Sequence, residues 1–278
     1  MKKIGFVDYY VSEWHANSYP AWIKEACAKL RLQYEVSYVW AERDVSPYDG
    51  RTTDEWCRAY GAERCDTIDE LCQKSDVVVI LAPSDPDKHF GYCAEVFKHG
   101  KRTYVDKTFA PDLKTAKEIF ALAEQYGTPF FSSSALRYAS ELNGLKDVKV
   151  FKTTGGGSNL PEYIVHQAEM VVKVMGEADK VRAIKDGGTT VFDIAFSDGR
   201  AARMSYAPEL SFCACADADE YTAMASPFFV RLISDIVTFF EDGKAPFDAS
   251  ETIEVMRLRE GALKAADSLG EWIDLSTI

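Results

Sequence analysis

The sequence predicts an α/β protein. A doubly wound, Rossmann-type parallel sheet spans residues 1–135, and a smaller α+β domain with a mostly antiparallel sheet spans residues 136–278. Three observations predict this. Strand-like and helix-like segments alternate through the first half, the order from which right-handed crossovers build a parallel sheet. Residues 76–82 (DVVVILA) form a continuous apolar run, as expected of a strand buried on both faces. Beyond residue 135 short strand-like runs are separated by Asp186-Gly187-Gly188 and Ser197-Asp198-Gly199, which carry hairpin chemistry.

Taken in order, residues 3–9 read as the first strand. Residues 18–30 read as a helix, from the spacing of Trp22, Ile23, Ala26 and Leu30, with Asn17 or Ser18 as its cap. A strand at 34–40 and a short helix at 54–60 follow. The helix at 67–74 opens on a capping-box pattern, Thr67 to Glu70. After the strand at 76–82 come a helix at 86–99 stopped by Gly100, a strand at 102–105, a helix at 113–126 closed by Gly127, and a strand at 129–132. The second half reads as a strand at 148–153, a flexible glycine corner at 155–157 and a helix at 161–174. Strands at 180–185, 190–196, 201–206 and 211–214 precede closing helices at 227–241 and 250–268. Strands 190–196 and 201–206 carry apolar residues on both alternating faces, so the sheet face left uncovered by helices predicts a homo-oligomer, a dimer across that face.

Composition bounds the function. Apolar residues make up 47% and charged residues 27% of the 278, an ordinary globular balance. The net charge of −12 argues against nucleic acid, which needs a concentrated basic surface, and leaves small molecules as the expected ligands. No run reaches the roughly 18 apolar residues of a membrane helix, and the apolar run before Asp8 is too short for a signal peptide, so a cytoplasmic location is the default. The seven cysteines include no CxxC pair. Cys213 and Cys215 share a strand face, but without clear ligand spacing no metal site is expected, and the thiols read as reduced core residues.

Doubly wound sheets bind ligands at the carboxyl ends of their strands. Lys107 follows the apolar pair Tyr104-Val105 and belongs at such an end. Near the end of the second strand lie Glu42 and Arg43; an acidic side chain there suits a ribose diol and an arginine a phosphate, and both are present.

The segment from Asp76 to Tyr138 resembles the second half of the Rossmann domain of the Gfo/Idh/MocA oxidoreductases. In that family a strand ends in Thr-Pro-Asn, a histidine follows on the next helix, and the following strand ends in Glu-Lys-Pro. The matches here are Ala82-Pro83-Ser84, His89 and Asp106-Lys107-Thr108, with Arg137 where the family often has an arginine after the sixth strand. Many members carry Asp-x-x-x-His after the glycine corner, with an acidic residue three positions on; this chain has Glu162, His166 and Glu169. Residues 228–275 also look like the family's closing helices.

The resemblance implies an oxidoreductase using NAD or NADP on the alcohol of a sugar, cyclitol or related polyol. It places Lys107 on the reacting oxygen and His166 as the group that exchanges its proton, with Glu162 orienting the histidine. Asp8, Tyr10, Pro83, Ser84, His89 and Asp106 would line the cofactor cleft. Each assignment has a structural alternative: Lys107 as a loop lysine paired with Asp106 or Asp112, His166 as an inert helix histidine, Glu162 as the capping partner of Asn159, His89 as a packing residue, and residues 42–44 as a charged turn. The departure lies in the first loop. The family's G-x-G-x-x-G/A lets backbone approach a pyrophosphate, whereas Asp8, Tyr10 and Glu13 stand at the three glycine positions. Impaired or altered cofactor binding is expected. A catalytically silent member that binds a small ligand or partner protein is the rival reading.

Overall fold

A computed structural model describes every residue, Met1 to Ile278. The chain forms two compact units, Met1–Ser133 with Phe229–Phe247, and Ser134–Phe228 with Asp248–Ile278.

In the first unit β1 (Lys2–Asp8), α1 (Trp14–Leu30), β2 (Tyr34–Ala41), α2 (Thr53–Tyr60), β3 (Glu63–Arg64), α3 (Ile68–Lys74), β4 (Val77–Ile80), α4 (His89–Val96), β5 (Thr103–Val105), α5 (Leu113–Tyr126) and β6 (Phe130–Ser132) alternate as expected. All strands are parallel, in the order β3-β2-β1-β4-β5-β6. The chain winds outward from β1 to β3, then restarts on the other side of β1 with β4. That reversal opens a crevice at the carboxyl ends of β1 and β4. The apolar run centred on β4 is wholly buried, as a two-sided strand requires. Gly5 lets α3 lie close on β1, because a Cβ there would come within 2.5 Å of both Leu71 and Ser75 side-chain atoms.

Two readings of the sequence are corrected here. Helix α1 begins at Trp14, four residues before the expected start, and its cap is Glu13 in place of Asn17 or Ser18. Asn17 instead accepts a hydrogen bond from the Trp56 indole at 2.8 Å. The apolar period that placed the start at residue 18 misses the first turn, where Trp14 is exposed and His15 is buried by a polar contact.

In the second unit β7 (Val150–Gly155), α6 (Leu160–Met175), β8 (Lys180–Asp186), β9 (Thr189–Ala195), β10 (Ala201–Tyr206), β11 (Cys213–Ala216) and β12 (Thr222–Ala223) precede the closing elements. These are α7 (Phe228–Asp242), α8 (Ala249–Asp267) and β13 (Trp272–Asp274). Helix α7, expected among the closing helices of the second domain, packs with the first unit. There Arg102 donates to the carbonyls of Phe240 and Glu241 at 2.7 and 2.8 Å, and Phe239 meets Phe131 edge-on. The seven-stranded sheet runs β12-β11-β7-β10-β9-β8-β13, antiparallel except for the β7–β10 pair.

Phe151, Val181, Phe192, Ile194 and Met204 join α6 and α8 in the core. The opposite face was expected to be apolar; it keeps Val191 and Ala195 but also carries charge. Asp193 lies between Arg182 at 2.9 Å and Arg203 at 2.7 Å, so three neighbouring strands carry an ion triplet across it. The period-2 alternation was read correctly, but ion pairing between strands is invisible in one strand's pattern. The glycine corner is also a close approach and not a hinge: a Cβ on Gly156 would stand 2.2 Å from the Ala207 carbonyl oxygen.

Candidate active site

In the first unit the crevice end of the sheet is lined by charged groups with little water around them. β1 ends on Asp8, which is buried. Its Oδ1 accepts from the backbone N–H of Tyr9 at 2.7 Å and of Ala82 at 3.0 Å, tying the ends of β1 and β4 together, while Oδ2 has no hydrogen-bond partner. Burial, then the negative charge of Glu13, push the Asp8 carboxyl well above the usual carboxylate range, and the two N–H bonds only partly oppose this.

Glu13 bends back onto its own helix, accepting from the N–H of His15 at 2.7 Å and from that of Ala16. Burial raises its carboxyl as well, against the pull of His15 and the two N–H groups. His15 Nδ1 donates to Asp106, which follows β5. The ring stacks on Tyr19 at 5.3 Å and meets Trp14 and Phe229 edge-on. Asp106 also accepts from the Lys107 N–H at 2.8 Å and from the hydroxyls of Tyr104 and Tyr19 at 3.3 and 3.4 Å. Burial works against its ionisation, but His15 and then Lys107 outweigh burial and hold the carboxyl below its ordinary range.

The other residues singled out in the first half lie around this cluster. Lys107 is buried, with Nζ donating to the Pro83 carbonyl at 3.2 Å, so the loop after β4 and the motif after β5 meet through it. Ser84 follows on the same loop. Tyr10 packs between Tyr9 and Tyr48, and burial raises its phenol. Glu42, just past β2, accepts from Lys88 at 2.6 Å and Tyr92 at 2.8 Å; the Lys88 bond first, then Tyr92, lower its carboxyl against burial. Arg43 donates its backbone N–H to the Tyr9 carbonyl at 2.7 Å, and its side chain is exposed. His89 is fully buried, its ring nitrogens facing the carbonyls of Phe109 at 3.0 Å and Leu81 at 2.5 Å, which makes it a clamp between two strand ends.

In the second unit His166 and Glu169 lie one turn apart on α6 and both reach Ser134. The Ser134 hydroxyl is 2.7 Å from His166 Nδ1, and its backbone N–H points at Glu169 at 3.4 Å. Arg137 donates to Glu169 at 3.1 Å and to Glu251 of α8. Glu162 exchanges bonds with Asn159: its N–H donates to Oδ1 at 2.9 Å, and its carboxylate accepts from Nδ2 at 3.1 Å. Glu162 thus serves the helix cap, and the Ser134 hydroxyl lies on the His166 ring. The sequence reading missed His15 and Ser134. Neither belongs to a motif, and the partners lie 91 and 32 residues away.

A dinucleotide would place its pyrophosphate at the start of α1. The crevice and the acidic Glu42 suit such a ligand. The loop as folded does not: Glu13 already occupies two helix-start N–H groups, and Asp8 adds a second carboxylate.

The buried Asp8 also makes stability depend on pH. Its carboxyl is raised on folding, so its contribution is fully present below the ordinary carboxylate range and is lost as pH climbs through the raised value. Asp8→Asn keeps the Oδ1 acceptor and removes the charge. It is expected to flatten this decline and raise Tm at pH 8 by about 2–4 °C, the shift that about 1 kcal/mol gives in a chain of this size. Calorimetric melts at pH 5 and pH 8 check it; an unchanged difference between the two melts would take Asp8 out of the account.

Residues 44–133 match the Gfo/Idh/MocA model, described as an oxidoreductase family with an NAD-binding Rossmann fold. An uncharacterised oxidoreductase of Escherichia coli, YhhX, is 38% identical over 66 residues, which span 23% of this chain and 19% of that protein. Among solved structures, an oxidoreductase from Agrobacterium radiobacter in complex with NAD+, L-tartaric acid and magnesium superposes with a TM-score of 0.79 at 11% identity, covering 99% of both chains. The scyllo-inositol dehydrogenase of Lactobacillus casei with NAD(H) and scyllo-inositol gives 0.72 at 14% identity over 99% of both. UDP-N-acetylglucosamine 3-dehydrogenase of Acidithiobacillus ferrooxidans gives 0.73 at 12%, over 96% of this chain and 97% of that one. At these identities the likeness is one of fold. Residues 44–133 are therefore similar to the NAD-binding Rossmann part of the Gfo/Idh/MocA oxidoreductase family, and the whole chain shares the fold of these solved oxidoreductases.

Proposed function

We propose that the chain is an NAD- or NADP-dependent oxidoreductase acting on the alcohol of a sugar, cyclitol or related polyol. The observation that carries this reading is the family match over residues 44–133, which contains Asp106-Lys107-Thr108 at the carboxyl end of β5. Two solved relatives in fold that act on a cyclitol and on a nucleotide sugar support the substrate class.

The cofactor, when bound, supplies the hydride acceptor or donor. The protein must then manage the substrate oxygen and its proton. Lys107, with its ammonium on a backbone carbonyl, is the donor for that oxygen and favours the negative charge developing on it. His166 exchanges the proton. Its Nδ1 partner is a hydroxyl, which can donate or accept, so Nε2 can be either bare or protonated in the neutral ring. The imidazole can then take a proton in oxidation and return it in reduction. Asp106 stays ionised beside Lys107, and Asn159 and Glu162 fix the start of the helix that carries His166.

The test is formation of reduced nicotinamide with NAD and NADP over a panel of inositols, aldoses and nucleotide sugars. Turnover of at least one pair is expected, with a loss of about 10²–10⁴-fold in His166→Ala. Cofactor binding without turnover on any substrate would favour the silent reading, which the acidic first loop supports.

No helix is long and apolar enough to cross a membrane, and a cytoplasmic, small-molecule enzyme fits the acidic surface. A homodimer across the uncovered face of the second sheet remains the proposed assembly, with the Arg182–Asp193–Arg203 triplet giving its contact a polar centre. Sedimentation equilibrium at micromolar concentration is expected to show a dimer that loosens with added salt; a monomer at every salt level would overturn it.

A further inference from the structure

Three features of the molecule stand outside the reaction just described: the Asp8–Glu13–His15–Asp106 cluster, the ion triplet on the second sheet, and the groove of about 330 Å³ beside Glu177, Glu254 and Arg257. The groove is open and lined by groups already paired with each other. The triplet carries one net positive charge, but both of its arginines are already bonded to Asp193. The cluster carries an inference.

We propose that a pyrophosphate-bearing cofactor enters the first loop together with protons, because Glu13 is a built-in competitor for the helix-start N–H groups that the pyrophosphate needs. The proposal rests on the cofactor reading above and adds to it a condition on binding.

The geometry is specific. Two N–H groups at the start of α1, those of His15 and Ala16, are held by the Glu13 carboxylate. In a glycine-containing loop such groups face an incoming phosphate. Here a negative ligand meets a side chain of the same charge already in place. Asp8 stands behind it and cannot move aside, since its Oδ1 is fixed by the N–H groups of Tyr9 and Ala82. Its Oδ2 is buried with no partner, a costly state for an ionised oxygen and a ready one for a proton that a phosphate oxygen could accept.

The surrounding charges do not relieve the problem. From β5 Asp106 adds a third carboxylate, already neutralised by His15 and Lys107. The hydroxyls of Tyr19 and Tyr104 point at Asp106. Tyr10, Tyr92 and Asp85 bring no positive charge to Asp8, and Lys88 is engaged with Glu42. Seating a dianion beside Asp8 and Glu13 therefore calls for at least one of the two to be neutral. Burial raises both carboxyls and so favours the protonated form of each.

The sign follows from linkage. A complex that holds more protons than its free components binds more tightly as pH falls, by up to about tenfold per pH unit for one proton. The test is calorimetric titration of the full chain with NADH at pH 6, 7 and 8. Two buffers of different ionisation enthalpy give the protons taken up, and adenosine, which has no phosphate, serves as the control. The expected result is affinity for NADH that falls as pH rises, with net proton uptake, and no such trend for adenosine. Glu13→Gln should bind NADH more tightly at pH 8 and take up fewer protons. Thermal melts of the variant confirm folding.

Binding by the variant with none by wild type at pH 8 would also support the competitor. NADH binding with no proton uptake, with Glu13→Gln no tighter, would overturn the inference and leave the cofactor reading standing. It would mean that Glu13 swings out ionised. Failure of both proteins to bind NADH at every pH would overturn both.

Discussion

Replacing Lys107 with alanine is expected to lower kcat/KM by about 10³-fold on any substrate the protein turns over, with little change in Tm. An effect of that size is about 4 kcal/mol of transition-state stabilisation. It is what a single buried donor on a developing oxyanion supplies. The structural ground is the place of the side chain. Lys107 follows β5 at the ligand-binding edge of a parallel sheet, and it is buried, with Nζ donating to the Pro83 carbonyl at 3.2 Å. Asp106, ionised beside it, bonds the Lys107 backbone and the His15 ring, and so holds the turn in place. Alanine would leave that turn and its carboxylate intact, so stability should survive the loss of activity. Lys107→Arg separates charge from shape: the planar guanidinium keeps the charge but cannot present a point ammonium at the same spot, and little recovery is expected. Steady-state kinetics alongside calorimetric melts decide the matter. A variant within a few-fold of wild type would remove Lys107 from the chemistry.

Much of the fold was legible because it depends on local pattern. The run around β4 is apolar at every position and could belong only to a strand covered on both sides. Gly100 and Gly127 take the left-handed conformation just past their helices, where the sequence placed the stops. The start of α1 was not legible, because its first turn buries a histidine through Asp106, 91 residues away, and caps itself with a glutamate, a less usual capping side chain. The fate of α7 was hidden for a related reason. Its apolar face is plain, but nothing local states which unit that face covers. The site followed the same division. Lys107 and His166 came from motif order, whereas His15 and Ser134 came only from the folded chain. The glycine-free loop was read as a place where carboxylates repel phosphate. The structure shows that one of those carboxylates, Glu13, is itself the helix cap.

Arg137→Ala is expected to destabilise the chain by about 3–5 kcal/mol, the usual loss when one partner is taken from a buried ion pair. Arg137 and Glu169 have side chains only 8% and 5% exposed, so Glu169 would lose its guanidinium in a poorly solvated place. Glu251 is 34% exposed and would lose less, because water reaches it. In the intact protein burial works against the Arg137 charge, and the two carboxylates more than compensate. The deficit carries a sign with pH. Protonation of Glu169 removes the charge that faced the lost guanidinium, so the deficit of the variant relative to wild type is expected to shrink as pH falls and grow as pH climbs. Urea unfolding at pH 5 and pH 8 should show the larger deficit at pH 8. Adding Glu169→Gln to the variant should recover part of the loss by removing the charge that faced the guanidinium, at the same volume. The functional consequence runs through Ser134, which touches both Glu169 and His166 from the same short segment. If the ion pair also sets the His166 ring, the double variant should regain stability while its pH–rate profile stays displaced from that of wild type. Full recovery of both would confine Arg137 to holding α6 and α8 in place.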